Sequence, residues 1–165
     1  MAFKKDTHRI LTVALYDVLS DIDVDVYNVL PENVDNPFIY IGAITSFDFS
    51  NKCSFITEGT VDVEMHTGAN GWNGSMSQLY EYLAEIKAAL QPSKDSVLDL
   101  GTSYDMHLWK IQADSGLIVY DPINRLMSST TTYEFSIVQA IGYKDRVEDN
   151  DGTIESINCV PLELR

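Results

Sequence analysis

Basic residues are scarce: 11 Lys and Arg stand against 25 Asp and Glu in 165 residues, for a formal net charge of -14 with histidine neutral. Binding to a phosphate backbone rests on Lys and Arg displacing condensed counterions, so this balance argues against a grip on nucleic acid. Cysteine is equally sparse. Cys53 and Cys159 lie far apart, with none of the short spacings of zinc or redox motifs, and read as structural thiols. Apolar residues never run long enough to cross a bilayer, and Met1-Ala2-Phe3-Lys4-Lys5-Asp6 has no apolar stretch behind its lysines. A chain made and used in the cytoplasm, without a membrane partner, is expected.

The parts of an active centre are also missing. His8, His66 and His107 never fall at H-x-x-x-H or H-E-x-x-H spacing, so only the tertiary fold could gather them around a metal. Gly68-Ala69-Asn70-Gly71 lacks the lysine that would reach a phosphate and follows no buried parallel strand, which rules against a nucleotide loop. No serine or cysteine sits in a nucleophile elbow. Asp62 and Glu64 could in principle act as a glycosidase pair, but they alternate along a strand and read as a solvated face. Asp21, Asp23 and Asp25 lack the glycine of an EF-hand loop, and in the stretch from Val147 to Asn158 the two end positions carry no carboxylate. Trp72 and Trp109 could stack on a sugar or base, or anchor a loop and the core. No catalytic, cofactor or metal residues are expected.

What is present is an α+β pattern. A chain of this length buries roughly two-thirds of its extended surface, enough for one core without staples. Thr7 can cap a helix in which Ile10, Leu11, Ala14, Leu15, Val18 and Leu19 recur at spacings of three and four. Asp21, Asp23 and Asp25 alternate with Ile22, Val24 and Val26, the period of a strand reaching about Leu30 before Pro31. Phe38 to Ile44, after Asn36-Pro37, is apolar on both faces, as a central strand is. A polar run spans Ser46 to Ser54, then Val61, Val63 and Met65 alternate with Asp62, Glu64 and His66. That second face is solvated or meets a partner subunit.

Glycines around Trp72 form a bend, and Ser75 or Asn73 can cap a second helix with a stripe of Met76, Leu79, Tyr80, Leu83, Ile86 and Leu90, ended by Pro92. After a polar loop from Ser93 to Ser103, strands are predicted at His107 to Ala113 and Tyr133 to Ile141. The apolar patch Leu117 to Tyr120 stays unassigned. The sum is a mixed, mainly antiparallel sheet of about four to five strands packed against two amphipathic helices, over residues 1–143. Residues 144–165 read as a C-terminal extension or arm. No internal repeat suggests a solenoid.

This order of elements resembles the tail-terminator or tail-completion proteins of long-tailed bacteriophages. The match rests on the helix Thr7 to Leu19, the stretch Val24 to Val29, the strand Asn36-Pro37-Phe38-Ile39-Tyr40-Ile41-Gly42, Gly59 through His66, Trp72, the helix Ser75 to Leu90 and the strand near Tyr133 to Ile141. It covers about residues 7–143. The polar run from Ser46 to Ser54, the stretch Ser93 to Ser103 and the tail after Lys144 depart from the compact family plan.

The resemblance implies a virion protein at the head-tail junction, assembled in the host cytoplasm. Its partners would be copies of itself in a ring, usually a hexamer, together with tail tube protein and a neck or head-completion protein. The ring would stop tube polymerisation and let DNA pass through its lumen without specific binding. Asp21, Asp23, Asp25, Asp62 and Glu64 are then candidates for an acidic lumen or surface face. Phe47, Phe49, Trp72, Glu148, Asp149, Asp151, Leu162 and Leu164 are candidates for subunit or tube contacts. One alternative keeps the structural class but binds the neck connector. Another is a small-ligand or enzymatic module using Trp72, His66 and nearby acids.

Overall fold

In a computed structural model, residues 6–32, 34–49, 54–68, 75–102, 104–114, 118–123 and 126–140 are described. The chain opens with helix α1 (Thr7–Leu19), whose cap is Asp6 and not Thr7. The Asp6 carboxylate accepts from the backbone N–H groups of His8 and Arg9 at 3.1 and 3.4 Å, meeting two of the donors a helix start leaves unpaired. Thr7 is thereby free to turn inward. Its hydroxyl lies 3.4 Å from that of Thr57, buried under the helix. Leu11, Ala14, Leu15 and Leu19 form the buried stripe, with Ile10 and Val18 at its margins.

The expected strand from Asp21 to Leu30 shrinks to β1 (Asp25–Tyr27). Residues 20–23 are turns and bends instead, closed by bonds from Ile22 N–H to the Leu19 carbonyl and from Val24 N–H to the Ile22 carbonyl. The period-two pattern there arises because the turn also points its apolar residues at the core. Strand β2 (Phe38–Asp48) and strand β3 (Ser54–Gly68) then form a long hairpin. The polar run from Ser46 is thus strand as far as Asp48, since ladder bonds come from the backbone and tolerate polar side chains. Phe49 N–H reaches the Ile56 carbonyl and extends the pairing further. One extra residue between Ile41 and Ile44 makes a bulge. At Gly59 the strands come so close that a Cβ would run into the Thr45 carbonyl oxygen.

Helix α2 (Ser75–Leu90) buries Leu79, Leu83, Ile86 and Leu90. Met76 and Tyr80, predicted in the same stripe, are half exposed because they stand at its edge in the first turns. Residues 93–102 follow without regular structure but send Leu98 into the core. Strands β4 (Asp105–Asp114), β5 (Val119–Asp121) and β6 (Leu126–Ala140) complete the sheet.

The sheet has six strands, one or two more than expected, in the order β1-β2-β3-β6-β4, with β5 also paired to β6. Pairing is antiparallel except for β1 with β2. All of β6 is matched to β3 on one side, so β4 and β5 share its other side as one interrupted edge. Of the unassigned apolar patch, Val119 and Tyr120 open β5. Both helices cover one face, where Ile39, Ile41, Val61, Val63, Met65, Trp109, Tyr133, Phe135 and Ile137 make a single core with the helical leucines. Among the described residues, the opposite face carries no helix.

Candidate functional surface

Because side chains alternate along a strand, burying the odd-numbered residues of β3 and β6 sends the even-numbered ones to the bare face. From β3 these are Glu58, Thr60, Asp62, Glu64 and His66, and from β6 they include Thr130, Thr132, Glu134 and Ser136. Residues directly across from one another hold each other in place. Thr132 Oγ1 donates to Asp62 Oδ1 at 2.6 Å, and Ser136 Oγ to Glu58 Oε1 at 3.4 Å. Lys110 Nζ of β4 lies 3.1 Å from Glu134 Oε2. Along β3 itself, His66 Nε2 lies 3.0 Å from Glu64 Oε2, while its ring stacks on Phe38 with centroids 4.6 Å apart. Four carboxylates, one lysine and one histidine thus sit on a half-exposed sheet face whose rotamers are tied by neighbours.

The five acids singled out by sequence fall in two places. Asp62 and Glu64 belong to the bare face. Asp25 lies on edge strand β1, and Asp21 and Asp23 lie in the turn before it; together with Asp35 they line a shallow depression of about 570 Å³. Tyr27, beside it, has its pKa raised above 10.0 by desolvation and then by the Asp25 charge. Among the described residues no group of three or more His, Cys, Asp or Glu is placed to hold a metal ion. His8 meets Ser46 Oγ at 2.6 Å, far along the chain from His66.

Of the candidate contact residues, Phe47 and Phe49 stand at the tip of the β2–β3 hairpin. They are more than half exposed and packed edge to face with centroids 5.1 Å apart. Trp72, Glu148, Asp149, Asp151, Leu162 and Leu164 lie outside the described residues. Trp109 is a core residue and not a stacking platform: its ring lies parallel to Tyr133 at 4.8 Å, and its Nε1 donates to the Leu90 carbonyl at 2.8 Å.

One feature escaped the sequence. Between α1 and residues 99–101 runs an open groove of about 860 Å³, floored by Ile10, Val13, Ala14, Val18 and Leu100 and rimmed by Asp6, Arg9, Asp17 and Asp99. Its signal was the apolar row at positions 10, 14 and 18, which merges with the core stripe in a one-dimensional reading. No helix among the described residues is long and apolar enough to cross a membrane.

No family model matches the sequence, and no curated protein does. A chain of the solved virion of the native gene transfer agent (GTA) particle superposes with a TM-score of 0.62 at 15% identity, covering 82% of this chain and 99% of that one. The two chains share a fold. At that identity the likeness lies in the arrangement of helices and sheet and not in any matched set of side chains.

Proposed function

We propose that this chain is a structural protein of a phage-like virion, acting as a tail terminator: a subunit of a ring that caps the tail tube, halts its growth and offers a joining surface to the head. The observation that carries this reading is the fold shared with a virion chain over 99% of that chain's length. The surface supports it. A ring needs head-to-tail contacts that close by rotation, and this sheet ends in two unlike edges, β1 on one side and the interrupted β4–β5 pair on the other. Exposed Val119, Tyr120 and Ile123 lie at the second edge, and Phe47 and Phe49 project from the hairpin tip. The carboxylates of the bare face would repel phosphates in a lumen through which DNA slides.

The alternative is a neck connector that binds the other side of the joint. Adding the purified protein to polymerising tube protein separates the two, with tube length read by negative-stain electron microscopy. A terminator yields short tubes with a ring at one end, whereas a neck protein leaves them growing. Tubes that lengthen unchecked at saturating protein overturn the terminator reading.

A further inference from the structure

Helix α1 turns one apolar flank toward its groove in addition to the stripe it gives to the core. We propose that this groove receives a short amphipathic helix of a partner protein, apolar on the face that enters and rich in Lys or Arg along its margins. The spacing suits a helix. Ile10, Ala14 and Val18 form a row of every fourth residue on the floor, about 6 Å apart, and from Asp6 to Val18 the groove follows α1 for about 18 Å. Such a row accepts the matching row of a second helix, whose axis then lies about 8–10 Å away. Ala14, the smallest member, stands at the middle, where two crossing helices come closest. Beside it Val13 is 51% exposed, so a docked helix would cover apolar surface that now faces water.

The far wall is already formed. Asp99 Oδ1 accepts from the Gly101 N–H at 2.8 Å, and Gly101 holds a φ of 79°, in the left-handed region that glycine tolerates. Leu100 is thus presented by a fixed turn, which leaves less to be ordered on binding. Charge selects the occupant. Asp6 and Asp17 lie toward the two ends of α1 and Asp99 lies across from them, against Arg9 as the one cation of the rim. Carboxylates on both margins of an apolar floor are the complement of a basic amphipathic helix. The same rim disfavours a second copy as occupant, since each chain carries a charge of -14.

This inference goes beyond the terminator reading and does not rest on it. Its test titrates the full chain against two fluorescein-labelled synthetic helical peptides, read by fluorescence anisotropy. Both have about 14 residues with Leu at i, i+3, i+4 and i+7, and the remaining positions are Lys in one and Glu in the other. The Leu/Lys peptide should bind at least about tenfold more tightly than the Leu/Glu peptide. Val13→Lys should weaken that binding by about tenfold or more, whereas Ile123→Lys, an equal charge change at an exposed site on the β5 side, should alter it by less than about twofold. Circular dichroism establishes that both variants are folded. No binding of the Leu/Lys peptide at about 100 μM overturns the proposal. Equal weakening by the two variants also overturns it, because the attraction would then be to the overall charge. Equal binding of the two peptides removes the charge match and overturns it as well. If Val13→Lys instead abolishes self-association in sedimentation and leaves peptide binding unchanged, the occupant is a second copy. No tube protein enters this assay, so its failure leaves the terminator reading standing, and unchecked tube growth leaves the groove standing.

Discussion

Trp109 illustrates how much one side chain can carry in this core. Its indole fills the space between β4, β6 and the end of α2, and its N–H satisfies a carbonyl at the C-terminus of α2 that would otherwise be buried without a donor. Trp109→Ala should cost about 3–5 kcal/mol in urea denaturation, the range for truncating a large buried aromatic. Tyr104 tests a subtler effect. Its hydroxyl is buried with no hydrogen-bond partner among the described residues, and desolvation, followed by the nearby Asp6 charge, raises its pKa above 10.0. The unfolded chain therefore ionises this group first. Its contribution to stability is complete below about pH 10 and is lost as the pH climbs through the folded value. Tyr104→Phe should flatten the fall in melting temperature above about pH 10 and leave the melting temperature near pH 7 unchanged or slightly higher, since an unpaired buried hydroxyl is removed. At this scale sequence reading succeeded where burial follows period, as with Leu11, Leu15 and Ile86. It failed where a polar residue has two uses: Thr7 could cap, but Asp6 beside it is the better acceptor and leaves Thr7 to the core.

Among the elements, the β2–β3 hairpin separates stability from contact. Phe47 and Phe49 touch each other at the tip and add little to the core, so the double change Phe47→Ser with Phe49→Ser should shift the urea midpoint only slightly. It should abolish ring formation by light scattering if the tip is a subunit contact. A variant that still forms rings would remove the tip from the interface. The helices and the Thr60–Met65 part of β3 were legible because their apolar periods are unbroken, whereas Ser54–Gly59 is strand through its pairing with β2 and β6. The short strands were not. Three residues of β1 and three of β5 owe their state to a neighbouring backbone, Phe38–Tyr40 and Leu126–Ser128 respectively, which no local pattern encodes. The bare sheet face was partly legible, since Asp62, Glu64 and His66 alternate with core residues. Its cross-strand partners Thr132, Glu134 and Ser136 could not be read from it, because register joins positions some 70 residues apart.

For the molecule as a whole, the charge of -14 acts between copies more than within one. Raising salt from about 0.01 M to about 1 M shortens the screening length from about 30 Å to about 3 Å, so self-association should strengthen, with the sedimentation-derived assembly midpoint moving to lower protein concentration. A midpoint that moves the other way would mean that ion pairs, and not apolar contacts, hold the copies together. The sheet order carries a consequence for synthesis. Strand β6 is the last strand described, yet it sits between β3 and the β4–β5 edge. While the ribosome is still adding residues beyond α2, the 15 residues of β3 that await β6 have a row of open backbone donors and acceptors. The nascent polypeptide passes through a stage in which one of its two longest described strands is an unfinished margin, and that is when a holding chaperone would matter most to it.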